Sequence, residues 1–168
     1  MELRGGEFLT DLGNVMLKKR YEQRSDVEKI QSQWYKLTGL HSREEWSAAV
    51  VRAATAAEIA ANFAVREEFK ARSKFDGKFV NNLLRWANGL DGKLNRLLLP
   101  MTEGKKANKI LSGVKKDAER VNKKRNAVAH QGEFCNVGES QEAIESARKF
   151  IEAVVRIYEP GFTLEDKS

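Results

Sequence analysis

The sequence predicts an all-α protein, an antiparallel bundle of about five helices. Three observations carry that expectation. Apolar residues recur every three or four positions along most of the chain, the spacing of one helical face. No stretch alternates apolar and polar residues as a half-buried strand would, and no hairpin signal competes. Helix-stopping residues punctuate the pattern at Gly39, Pro100, Gly132 and Pro160-Gly161. With 168 residues, 41% apolar and 32% charged, one domain can bury a core of its own.

Residues 1–24 read as a lead-in segment with a helix from about Thr10, residues 25–160 as the bundle, and residues 161–168 as a frayed tail. In the bundle, Val27, Ile30, Trp34 and Leu37 form the first stripe, with Ser25 or Asp26 as cap and Gly39 as stop. Ser42 and Glu45 have the spacing of a capping box for the next helix. That helix carries Trp46, Ala49, Val50, Ala53, Ala57, Ala60, Ala61 and Ala64, and runs to about Arg72. It is apolar nearly all round between Ala53 and Val65, which suits the centre of a bundle.

Phe75, Phe79, Leu83, Trp86 and Leu90 mark a third stripe, capped by Asp76. Gly89 and Gly92 suggest a break before Leu94, Leu97 and Leu98, and Pro100 closes the segment. A basic helix follows, with Ile110, Val114, Ala118 and Val121 on its buried side and Gly132 as its stop. The last helix begins near Ser140, its stripe formed by Ile144, Ala147, Ile151, Val154 and Tyr158. All three tryptophans fall on apolar stripes and read as core.

Composition narrows the function classes. No apolar run approaches the ~20 residues of a membrane span, and no h-region follows Met1, so a cytoplasmic protein is expected. Cys135 is the only cysteine, which forbids an intramolecular disulfide and suits a reducing compartment. One Cys and two His fall short of a structural zinc set, and no P-loop or dinucleotide fingerprint occurs, so no metal and no cofactor is expected. The net charge of +6 is placed unevenly. Residues 105–125 hold nine basic side chains against Asp117 and Glu119, so the rest of the chain is close to neutral. Lys116, Arg120, Lys123 and Lys124 then read either as a solvated helical face or as a surface that tracks phosphates.

That basic run enters the motif Arg125-Asn126-Ala127-Val128-Ala129-His130, or R-N-x-x-x-H. Cleavage of RNA by its own 2′-hydroxyl needs a base for that hydroxyl, an acid for the leaving 5′-oxygen, and cation density on the phosphorane. Imidazole can play either proton role near neutral pH. Guanidinium holds two phosphate oxygens and keeps its charge. Asn126 can bind phosphate or ribose, or fix the imidazole ring. In a regular helix, positions 125 and 130 point about 140° apart. Either the arginine wraps round the helix or the helix loosens before Gly132. Glu58, on the otherwise apolar central helix with Asn62 one turn on, needs a partner. It serves a structural ion pair or orients Arg125 or His130. Cys135, five residues from His130 with no third group, reads as an ordinary loop cysteine.

The motif and its place before a final amphipathic helix resemble the HEPN family. The likeness spans about residues 25–158 in helix count and is specific between Arg125 and Phe134. It implies an all-helical domain and a metal-independent endoribonuclease of toxin or defence type. Arg125, Asn126 and His130 match the family's catalytic positions; Glu58 has no such counterpart. The resemblance also implies a homodimer with a composite cleft. That agrees with a count of side chains, because His41 lies in a turn and each copy brings only His130. RNA would be the partner. The alternative is a catalytically inactive HEPN module that binds a nucleotide or a protein, such as a cognate antitoxin or a nucleotidyltransferase-type protein. A DNA-binding helical regulator would suit the charge, but no recognition-helix pattern supports it.

Overall fold

A computed structural model of the chain describes residues 19–72 and 76–167; the expected lead-in helix from Thr10 and Phe75 of the third stripe lie outside them. Among the described residues every regular element is helical. A 3-10 turn at Tyr21–Gln23 precedes α1 (Asp26–Ser42) and α2 (Trp46–Arg72). Then come α3 (Gly77–Trp86), α4 (Gly89–Gly92), a π segment (Lys93–Leu98) and α5 (Leu99–Met101), the last three forming one unbroken rod. The chain continues through α6 (Lys106–Gly113), α7 (Lys115–Gln131) and α8 (Val137–Arg156).

Two of the expected five helices are each divided. The third splits at Ala87 and Asn88, where extended backbone at Asn88 and a φ of +73° at Gly89 re-aim the chain. The basic helix splits at Val114, whose ψ of 8° ends α6 and starts α7. Its buried side is Leu111, Ala118 and Val121, with Ile110 and Val114 only half buried.

The central helix is α2, as its composition leads one to expect. Ala49, Ala53, Ala56, Ala57, Ala60, Ala61 and Ala64 are all buried, and such small side chains let neighbouring backbones approach closely. It packs against α1 through Ile30 and Trp34, and against α8 through Phe150, Ile151, Val154 and Val155. By length and composition α2 is apolar enough to cross a membrane, but most of it is buried inside the fold, as for a core helix. At its C-terminal end Glu68 is 5% exposed and gathers the Tyr158 hydroxyl at 3.0 Å, Lys105 at 3.0 Å and Arg72 at 3.1 Å. Burial and the Glu68 charge together push the Tyr158 hydroxyl well above the usual phenol range.

Several boundary expectations are corrected. Gly39 lies inside α1, which continues to Ser42 and ends where Glu44 takes a positive φ of 62°. Ser42 therefore caps no helix; its hydroxyl donates to the Gly39 carbonyl at 2.9 Å. Complete capping boxes form instead at Ser25 with Glu28, and at Asn136 with Glu139, which starts α8 three residues before Ser140. Trp86, the last residue of α3, is 66% exposed rather than core. Nor are the described residues of the expected tail, 161–167, frayed. Leu164 is buried, Gln31 pairs with both backbone groups of Glu165, and the Trp34 indole donates to Asp166 at 3.1 Å.

Candidate functional site

The site is built on the last two turns of α7. Gly132 stops that helix with a left-handed φ of 67°, a conformation that costs a glycine nothing. The helix stays regular through Gln131, so it does not loosen, and the long side chain of Arg125 wraps round it instead. Arg125 Nη1 lies 3.1 Å from His130 Nε2 and donates to Asn126 Oδ1 at 3.0 Å. The three motif residues thus form one hydrogen-bonded group. Guanidinium can only donate, so this contact is a hydrogen bond when Nε2 is the unprotonated ring nitrogen. His130 and Gln131 are exposed at the helix end.

Beside this group lies a cavity of about 290 Å³ between α2, the start of the α4 rod and α7. Arg125, Asn126 and Asn122 line it from α7, Glu58 from α2, and Asn88 and Asp91 from the α3–α4 corner. His130 lies outside that wall. Asn122 and Asp91 are polar residues that the motif alone does not flag. Asn122 could have been found by helical spacing, since it precedes Arg125 and Asn126 by three and four residues.

Glu58 pairs with Lys93, whose ammonium is buried. It makes no hydrogen bond to Arg125 or His130, so its placement answers to the structural ion pair. Asn62, one turn on, keeps a buried Oδ1 without a partner.

Four basic residues were expected to guide RNA, and they divide. On helical spacing Lys116, Arg120, Lys123 and His130 share one stripe of α7, within an arc of about 80°. All four are exposed. Arg120 also donates to Ser146 at 2.8 Å and to Asp117 at 3.3 Å, which fixes its position and partly offsets its charge. Lys124 lies off the stripe, paired with Glu139 at 2.9 Å, and that bond raises its pKa above the usual lysine value. Lys105 is drawn away to Glu68. Next to the motif, Phe134 is 92% exposed and Val137 is also exposed. Cys135 between them is buried with its N–H donating to Ser47, and burial pushes its thiol pKa up.

No protein-family model matches the chain, and no curated protein or solved structure matches it.

Proposed function

We propose that the chain is a HEPN-like, metal-independent endoribonuclease, cytoplasmic, with a toxin or defence role, acting as a homodimer whose two motifs form one cleft. The observation that carries this reading is the hydrogen-bonded group of Arg125, Asn126 and His130 at the end of a basic stripe. Its chemistry fits the reaction. Once the Arg125 guanidinium turns from Nε2 to the phosphate, the freed lone pair can take the 2′-hydroxyl proton. The 2′-oxygen then bonds to phosphorus as the bond to the 5′-oxygen breaks, and the 5′-oxygen leaves with a proton from the partner copy's imidazole, which enters that step as imidazolium. The products are a 2′,3′-cyclic phosphate and a free 5′-hydroxyl. Arg125 supplies charge to the phosphorane, and Lys116, Arg120 and Lys123 lead the strand towards His130. The exposed Phe134 and Val137 offer an apolar surface next to the motif on which a second copy can seat.

The test is cleavage of single-stranded and structured RNA in EDTA. His130→Ala and Arg125→Ala should each lose about 10²–10⁴-fold in rate while melting like the parent. A parent inert on every RNA, or a fully active His130→Ala variant, would overturn the reading. The first result would favour the catalytically inactive module, which would use the same Phe134 surface for a protein partner such as an antitoxin or nucleotidyltransferase-type protein.

A further inference from the structure

The cavity beside the motif is walled for something other than phosphate. Arg125 and Asn126 join it to the hydrogen-bonded group on α7, but the α3–α4 corner contributes Asp91 and α2 contributes Glu58. A carboxylate repels phosphate and attracts hydrogen-bond donors. Glu58 is already committed to the Lys93 ammonium. Asp91 Oδ1 accepts from Asn95 Nδ2 at 2.7 Å, a neutral partner that fixes the carboxylate in place.

Asn88 belongs to the same corner. It holds the N-cap position of α4, where an asparagine ordinarily accepts from an N–H of the first turn. Its side chain makes no such capping bond and lines the cavity instead. Asn88 and Asp91 stand three residues apart, close enough to meet one edge of one ligand. Val51, Ala54 and Leu90 add apolar contact for the faces of a ring. At about 290 Å³ the cavity lies at the lower end of ordinary ligand sites, with room for one flat ring system and not for a strand.

Chemistry narrows the ring. Unpaired RNA bases are read on their Watson–Crick edges. A carboxylate accepts best from two donors side by side. Among the four bases guanine alone offers such a pair, N1–H and the N2 amino group, with O6 beside them as an acceptor. Adenine and cytosine set one amino group next to a ring lone pair, which a carboxylate repels, and uracil places its N–H between two carbonyls. An amide N–H of Asn88 can donate to O6 while Asp91 takes the two N–H groups. We propose that this cavity receives an unstacked guanine of the RNA, read by Asp91 and Asn88, so that the bond cut adjoins a guanosine. The assignment rests on the ribonuclease reading and makes its substrate unpaired RNA, since a base-paired guanine hides this edge.

The experiment pairs binding with cleavage on the full chain. Fluorescent oligouridylates with G, A, C or U at the centre are titrated by anisotropy against His130→Ala, which the ribonuclease reading makes inert. The guanosine oligomer should bind about tenfold more tightly than the others. Inosine in its place, which lacks only the N2 amino group, should lose most of that advantage, and 7-deazaguanosine, altered away from the edge that is read, should keep it. Asp91→Asn should bring the four oligomers within about twofold of one another. Asn88→Ala should weaken the guanosine oligomer by about threefold without lowering Tm, because its side chain makes no capping bond. The parent, given RNA of mixed sequence in EDTA, should leave ends that adjoin guanosine. Equal affinity for the four oligomers, preference for another base, or a guanosine preference intact in Asp91→Asn overturns the proposal. Cleavage without regard to guanosine overturns it as well and leaves the ribonuclease reading standing. Guanosine preference in a parent inert on every RNA does the reverse, keeping the pocket and removing the reaction.

Discussion

Replacing Glu58 by alanine should be among the more damaging single changes in this protein. The cost follows from its partner. The Lys93 ammonium is 4% exposed and its counter-charge is Glu58. Removing one member of a buried pair costs about 3–5 kcal/mol, because a bare charge is left behind. Glu58 itself is 36% exposed, so water can enter where its carboxylate stood, and the lower end, about 3 kcal/mol, is expected. In a chain of this size that is roughly 6–12 °C in Tm. The reciprocal change is milder. Lys93→Met fills the same space with apolar atoms, and the orphaned carboxylate can turn to solvent, so about 1 kcal/mol is expected. Combining Lys93→Met with Glu58→Gln should recover most of the loss. Thermal and urea unfolding of the four proteins measures this directly. Equal losses in the two single variants, or a Glu58→Ala loss under about 1 kcal/mol, would refute the reasoning. Activity offers a second readout. On the proposed ribonuclease reading, because Glu58 bonds to Lys93 and not to the motif, folded Glu58→Ala should cleave RNA at a rate within about twofold of the parent.

Other expectations are more local. Deleting residues 163–168 should lower Tm by about 5–10 °C, since Leu164 burial and the Gln31, Trp34 and Arg148 bonds go together; an unchanged melt would mean the docked end is ornamental. Cys135 should react slowly with a disulfide reagent near pH 8 in the native state and quickly once unfolded, because burial raises its pKa and hides the sulfur. The Lys19 ammonium and the Ser25 N–H hold the Glu28 carboxyl below its ordinary value. A depressed folded pKa stabilises above the unfolded pKa and loses that contribution as pH falls through the folded one. The stability gap to Glu28→Gln, about 0.2–1 kcal/mol at neutral pH, should therefore close on acidification. On the proposed dimer, Phe134→Glu should shift sedimentation towards monomer without lowering Tm, and a dimer that is unshifted would place the contact elsewhere.

The helical character of the chain and the centrality of α2 were readable because burial on every side leaves a plain mark, a long run of alanine broken by few polar groups. The helix stop at Gly132 was readable for a local reason, since the left-handed turn favours glycine. Boundaries set by distant partners were not. Nothing near Thr163 announces that Gln31 will satisfy the backbone of Glu165, more than a hundred residues away in sequence. Trp86 misled because an amphipathic stripe says which face is apolar but not whether a neighbour covers it. In the site, the motif was legible as spacing, while the wrap of Arg125 round the helix depended on rotamers that spacing leaves open. Lys93 carried no signal as the partner of Glu58, being one lysine among many.

The π segment at Lys93–Leu98 has a wider consequence. Its wide turn pairs the Leu99 N–H with the Leu94 carbonyl, five residues back, so it holds one residue more than an α-helical turn would. Excising a single residue there, Asn95 for instance, would tighten the rod to ordinary pitch. Because the wide turn already absorbs the surplus residue, the helix on either side would keep nearly the same facing, with Asn88 and Asp91 still in the wall they share with Arg125. The same excision within the α4 turn at Gly89–Gly92 would instead swing everything before it by about 100°. The rod therefore tolerates a change of length in one place and not in the next.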